Sequence, residues 1–368
     1  MAEAFRKIIY LAPDVDISKN EWGKAHTLWE VKYLQNYYDA VLLISQNGSH
    51  QRLDKHIFTK VSSLSIPKLL HQYLIRIFLE NIFFIILAIS LRILWYKYLI
   101  ERSYRLGGIF SIIFSLLGGR VIYQLNEPIY YERYIMPVQN FILKIMWHLN
   151  IQFFGTHDSF AYNLPKWKYI TGWWWVDCAV FDQINYTQTK EYDLIYIWSA
   201  TSWHDMDLIF SVAQEMPHKR FLVIISGAIN IFQRKIHENW LQNLILLNNV
   251  PHGQVFDYLL KSRIWLALYE KNNEILRKFD YYYSPIKVHE YKVCGLPVIA
   301  TRMGNLISLV ENCGVLINNN EKELQWAISK LLGDDHLYKK LWANAVSEIK
   351  EKYNWAYIAK WYFTLLQK

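Results

Sequence analysis

Residues Ser284 to Thr301 read SPIKVHEYKVCGLPVIAT. Ser284 suits a helix N-cap, and Pro285 suits the first helical position, where its missing N–H is not needed. Gly295 can end the helix in a left-handed turn, after which Val298-Ile299-Ala300 reads as a buried strand. The unit is therefore a loop, a helix of about ten residues, a tight turn and a strand. Lys287 and Glu290 share a helix face, and Lys287 stands in the first turn, where a cation opposes the helix dipole. A bound anion would explain that placement, because the N–H groups of a helix start and an adjacent ammonium form a phosphate site. The plainer alternative is an exposed Lys287/Glu290 ion pair worth roughly a few tenths of a kcal/mol.

Outward from this motif, strand-like runs alternate with helical ones, which predicts α/β layers with mostly parallel sheets. In the first half the strands are Lys7–Ala12, Ala40–Ser45, Arg120–Leu125 and Ile151–Thr156. In the second they are Tyr192–Trp198, Arg220–Ser226, Asn243–Asn248, Ile264–Tyr269 and the motif strand. Between the sets, residues 173–191 lack clear periodicity and read as a linker. Two doubly wound, Rossmann-like domains follow, residues 1–172 and 192–345, with a closing helical segment over 346–368. Ligands of such sheets bind beyond the carboxyl ends of the strands, so a cleft between the domains is the expected site.

A chain of 368 residues with 53% hydrophobic and 20% charged side chains can bury two cores. Forty basic against 32 acidic residues give a net charge of +8, which suits anionic ligands or an anionic membrane surface. Cys178, Cys294 and Cys313 form no CxxC pair, so a reducing compartment and no zinc site are expected. The apolar run before Pro13 is too short for a signal peptide and reads as a first buried strand, giving a cytoplasmic expectation. Ile82–Leu91 and Ile109–Leu117 are apolar but too short to span a bilayer. Arg92, Lys97, Arg102 and Arg105 lie between them, so residues 74–117 read either as a cationic helix or as a buried helix with a basic outer face. In the first case these cations meet anionic headgroups, Phe83, Phe84, Trp95 and Phe110 supply apolar contact, and the protein is peripheral on the inner face of the membrane.

From Tyr192 onward the chain resembles glycosyltransferases of the GT-B fold, in particular the retaining family 4 class with its teichuronic-acid and xanthan-type relatives. Trp203, Asp205, Leu208, Pro217 and Gly227 stand where that family has a Trp-x-Asp-x-x-Leu helix, a proline and a glycine. NLILLNNVPHGQVFDYLLKSRIWLALYE is similar to the family's next segment, and SPIKVHEYKVCGLPVIAT to its hallmark SPxKxxEYLAxGxPVVAT. GWWWVDCAVF looks like its linker, and YNWAYIAKWYFTLL like the closing helix that crosses back to the first domain. The likeness is good over residues 172–368 and weak before that.

The resemblance implies that Glu290 holds the ribose hydroxyls of a UDP- or GDP-linked sugar and that Lys287 faces its diphosphate. It further implies a metal-independent, hexosyl-type transferase without a cofactor, acting on a cell-envelope glycan or lipid-linked acceptor. Ser284, Gly304 and Asn305 border the donor. Tyr282 replaces a second glutamate of many members, and Trp198-Ser199 and His204-Asp205 replace their Gly-Arg and Lys-Gly, with His204 the candidate substitute. On the acceptor side stand Gly23, His26 and His157. Glu127 and Asp158, with His157 a further rival, are the candidates for the catalytic group, and the plainer reading of Asp158 is an N-cap. Asp14/Asp16 and Asp205/Asp207 have DxD spacing, but no metal is expected. The alternatives are a GT-B nucleotide-sugar epimerase and a membrane-surface scaffold with a degenerate donor domain. No strand is followed by GxGxxG, and no nucleic-acid module is recognisable.

Overall fold

Aliphatic runs such as KIIYLAPDVD and FLVIIS become strands buried on both faces, as parallel sheets covered by helices require. The computed structural model describes residues 5–17, 22–46, 53–66, 73–104, 106–125, 136–155, 169–171, 188–199, 204–227, 229–281 and 286–368. The chain divides into two units, Met1–Trp174 with Trp355–Lys368, and Trp175–Asn354.

In the first unit the chain runs β1 (Lys7–Asp16), α1 (Trp22–Leu34), β2 (Ala40–Gln46), β3 (Val61–Ile66), α2 (Tyr73–Ile93) and β4 (Tyr98–Arg102). It continues through α3 (Ile109–Leu116), β5 (Arg120–Leu125), α4 (Met136–His148), β6 (Ile151–Gly155) and β7 (Tyr169–Thr171). These strands form one parallel sheet in the order β3-β2-β1-β4-β5-β6-β7.

The second unit begins β8 (Tyr192–Ser199), α5 (Met206–Glu215), β9 (Phe221–Ser226), α6 (Asn230–Glu238), β10 (Leu244–Asn248), α7 (His252–Leu260) and β11 (Ser262–Ala267). Then come α8 (Glu274–Phe279), α9 (Ile286–Val293), β12 (Val298–Thr301), α10 (Gly304–Val310), β13 (Gly314–Ile317), α11 (Glu321–Gly333) and α12 (Asp335–Lys352). Its parallel sheet has the order β10-β9-β8-β11-β12-β13. The strand order reverses between β8 and β11, which opens a crevice outside their carboxyl ends.

A last helix, α13 (Trp355–Gln367), returns to the first unit. It starts at Trp355, and residues 346–352 still belong to α12. Tyr362 buries its phenol against Gln124, whose Nε2 donates to it at 2.8 Å, and Arg120 donates to the Leu366 carbonyl at 2.9 Å. Tyr37 stacks on Phe363 with ring centroids 5.3 Å apart.

Residues 74–117 are not one cationic helix. They are two helices flanking β4, a strand near the middle of the sheet with all five residues buried. Arg92 does not face outward as a free cation, for its guanidinium donates to the carbonyls of Leu117 and Tyr96. Arg102 is buried, and Phe84 and Phe110 meet edge to face in the core. Phe83 and Trp95 are exposed. Arg105 lies outside the described residues. Among the described residues no helix is long and apolar enough to cross a membrane.

Candidate functional site

The motif folds as its residue types dictate. Helix α9 is described from Ile286, with Pro285 outside the described residues, Gly295 adopts φ 70° and Val298–Thr301 is a fully buried strand. Trp342 of α12 lies across Gly295, where a Cβ would stand 2.1 Å from the indole nitrogen, so the packing as well as the backbone angle demands glycine.

The charges of α9 point in two directions. His289 and Lys292 face the protein: His289 is fully buried with its ring 4.6 Å from that of Tyr353. Lys292 is fully buried too, and its ammonium meets Glu348 of α12 at 2.7 Å. Lys287 is the second residue of the helix and Glu290 the fifth, one turn further on. Burial lowers the Lys287 pKa to about 8, against the upward pull of the Glu290 carboxylate. Glu290 is 6% exposed.

His204 follows β8 at its carboxyl end and bridges Tyr269, which follows β11, so it marks the switch-point crevice. Its ring lies 5.2 Å from that of Tyr269 and 6.2 Å from that of Tyr196. Burial, and then the Lys287 cation, press its pKa down to about 3. The imidazole is neutral at physiological pH, so it can offer one N–H and one lone pair but cannot replace an arginine's charge. The structure thus brings His204 and Lys287 into electrostatic reach across two loops.

A hydrogen-bonded frame that sequence reasoning missed holds these loops. Asp205 caps α5 by accepting from Leu208 N–H at 3.1 Å and accepts from Asn319 Nδ2 at 2.9 Å. Thr301 Oγ1 donates to Asn319 and accepts from Tyr269 N–H at 2.9 Å. The Tyr269 and Tyr281 hydroxyls meet at 2.8 Å, and Asn305 N–H donates to the Tyr281 carbonyl at 2.8 Å. Gly304, at φ 39°, has Tyr281 backbone oxygen 2.3 Å from where a Cβ would stand, so this glycine is set by close packing on Tyr281. The local signal was the NNN run at 318–320, which reads as a plain turn. Asp207 pairs with Lys235, so this DxD pair is occupied by a cap and an ion pair. Tyr282 and Ser284 lie outside the described residues.

In the first unit, Gly23 is the second residue of α1, while Glu127, His157, Asp158 and most of the 173–191 linker lie outside the described residues. His26 is on α1 with its ring 6.1 Å from that of Trp355. Burial and the Arg102 cation hold its pKa well below the ordinary value. Arg102 ends β4, where Tyr10, Asp14 and Glu30 each stabilise its charge against the cost of burial. Glu30 accepts from Tyr10 and from Gln124 Nε2 at 3.1 Å, and burial raises its pKa. None of these partners is visible as a motif, because β1, α1, β4 and β5 are far apart in sequence.

Two doubly wound parallel units, the second followed by a helix that rejoins the first, define the GT-B fold. The chain is similar over 99% of its length and 99% of the other chain to a glycosyltransferase from Rickettsia africae, with a TM-score of 0.74 and 15% identity. Anabaena HepE in complex with UDP matches with a TM-score of 0.72 and 12% identity, covering 98% of this chain and 99% of that one. UDP-GlcNAc 2-epimerase from Neisseria meningitidis, bound to UDP-GlcNAc, matches with 0.61 and 14% identity, over 98% and 99% of the two chains. No family model and no curated protein matches the chain in sequence.

Proposed function

We propose that the chain is a metal-independent glycosyltransferase whose second unit binds a uridine diphosphate sugar. The observation that carries this reading is the pair Lys287 and Glu290 on α9, with Lys287 in electrostatic reach of His204 at the β8/β11 switch point. A carboxylate there accepts two ribose hydroxyls, and a half-buried ammonium at a helix start takes a diphosphate. UDP-bound HepE, of the same fold, supports uracil over guanine. In the reaction the bond from sugar C1 to the β-phosphate oxygen breaks and its electrons leave with UDP. The acceptor hydroxyl oxygen bonds C1 and gives its proton to a base. Lys287 stabilises the charge that grows on the diphosphate, so no cation is required. The neutral His204 supplies a directional hydrogen bond beside it. We assign the acceptor, a hexose of a glycan or lipid-linked saccharide, to the strand ends of the first unit.

Calorimetric titration of UDP should show binding, and Glu290→Ala should weaken it about 10- to 100-fold, since a bond to a charged acceptor is worth roughly 1.5–3 kcal/mol. Unchanged affinity would end the ribose assignment. Activity surviving EDTA is part of the same expectation. Conversion of UDP-GlcNAc at C2 without any acceptor would move the protein to the epimerase reading.

We further assign the outer face of α2 to an anionic lipid surface. Leu79, Ile82, Phe83, Ile86, Ile89 and Ile93 are all exposed and form one stripe of about 21 Å at 1.5 Å per residue. It ends on Trp95, 73% exposed and held at φ 66°. The exposed Lys97 lies beside it, and Lys7 donates to the Leu94 carbonyl at 3.1 Å. An apolar stripe ending in tryptophan and lysines fits an interface of acyl chains and anionic headgroups. Flotation with liposomes should show binding that rises with anionic lipid and falls with salt. Ile86→Gln with Ile93→Gln should release the protein while UDP binding persists. No flotation at low salt, or a dimer in solution that these substitutions dissolve, would overturn the assignment.

A further inference from the structure

We propose that a cavity at the amino ends of β8, β9 and β11, at the opposite end of the second sheet from Lys287, is a second ligand site that takes a small polyanion bearing phosphate groups. The cavity measures about 600 Å3, within the range of small-molecule sites. Lys190, Arg220, Arg263 and Lys339 line it together with Tyr192 and Tyr338.

The arrangement follows from strand register. Leu194 pairs with both Phe221 and Ile264, so the preceding residues Asp193, Arg220 and Arg263 stand at one level across three adjacent strands. With strands about 4.8 Å apart, the two arginine backbones lie about 10 Å from each other. Arg220 sits over the Tyr192 ring at 6.0 Å and Arg263 over the Tyr338 ring at 5.8 Å. Tyr338 is itself fixed by donating to the Arg263 carbonyl at 2.8 Å. Stacking covers the guanidinium faces and leaves their N–H edges for a ligand.

The acids of the lining do not consume these cations. Asp193 accepts from the Arg220 backbone N–H at 2.9 Å, and Glu191 pairs at 2.9 Å with Lys261, which is outside the lining. Asp335 is the remaining carboxylate, in the first turn of α12. Lys190 donates to the Leu260 carbonyl at 2.7 Å, and its pKa is lowered by burial and by the Arg263 cation. Four cations face three carboxylates, two of which are engaged elsewhere, and that balance favours a ligand that brings negative charge. Cys294 forms part of the wall, its thiol pKa raised by burial, so it is a surface and not a nucleophile.

The test is calorimetric titration of inorganic pyrophosphate into the full-length Lys287→Ala protein, in which the donor helix has lost its cation whether or not the donor reading holds. Saturable binding is expected, weakened about 30-fold or more by Arg220→Gln with Arg263→Gln and severalfold by Lys339→Gln alone. Lys340→Gln, on the same helix but outside the lining, should leave it unchanged. Thermal melting of each variant separates lost binding from lost folding. Absence of binding at low salt, or equal binding in the double arginine variant, overturns the proposal.

Discussion

Glu348→Ala should destabilise the protein by about 3–5 kcal/mol, because it strands a charged lysine inside the second unit. Lys292 is 0% exposed and Glu348 9% exposed by side chain, with 2.7 Å between ammonium and carboxylate. The Tyr353 ring, 5.2 Å from the ammonium, offers too little to replace a carboxylate. For a unit of this size the loss corresponds to a fall in melting temperature of roughly 10 °C. Removing both charges together, as Lys292→Met with Glu348→Leu, should cost far less, since a buried pair exchanged for apolar side chains is close to neutral. Melting curves of the single and double variants settle it: equal losses in both would mean that packing, not charge, holds α12 on α9.

Lys287→Ala should lower turnover by about 10²- to 10³-fold while weakening UDP binding much less. The asymmetry follows from timing, because the ammonium meets the largest negative charge only as the glycosidic bond breaks. Equal losses in turnover and in UDP affinity would reduce the lysine to a ground-state anchor. Its pKa of about 8 gives the same residue a pH signature. Below pH 8 the free site is mainly charged and binds the diphosphate; above it the ammonium loses its proton and affinity falls towards that of Lys287→Ala. An ordinary lysine would hold its charge to about pH 10. Lys287→Arg should keep whatever affinity it has through this window, so an alkaline fall of the same shape in that variant would assign the titration to another group.

The α9–β12 unit was legible because left-handed glycine and buried strand are local properties, and both are met in the structure. β4 was not. YLIER ends in two charged residues, yet Glu101 and Arg102 are both buried. Glu101 accepts the N–H groups of Gly108 and Ser111 and the Ser111 hydroxyl, and burial still raises its pKa to about 7. Local polarity argued for a surface, and partners elsewhere in the chain overrode it. β3, VSSLSI, was missed for a similar reason: three serines in six residues leave little apolar signal, and its pairing with β2 supplies the order. At the site, Lys287, Glu290 and His204 could be named from the chain, but the neutral state of His204 could not. It arises from burial among Tyr196, Tyr269 and the neighbouring ammonium. Of the two lysines on α9, Lys292 is the fully buried one, and its partner Glu348 lies far along the sequence.

Because α13 completes the first unit, the order of synthesis and the order of assembly are inverted. A ribosome finishes residues 1–174 early, but Gln124 cannot meet Tyr362, nor Arg120 the Leu366 carbonyl, until α13 emerges. The second unit, contiguous in sequence from 175 to 354, has all of its own strands by then and can close first. The first unit therefore waits with an open seam, its buried Glu30 and Tyr10 in reach of water, for as long as translation of the second takes. For this chain, loss of α13 is damage to its beginning.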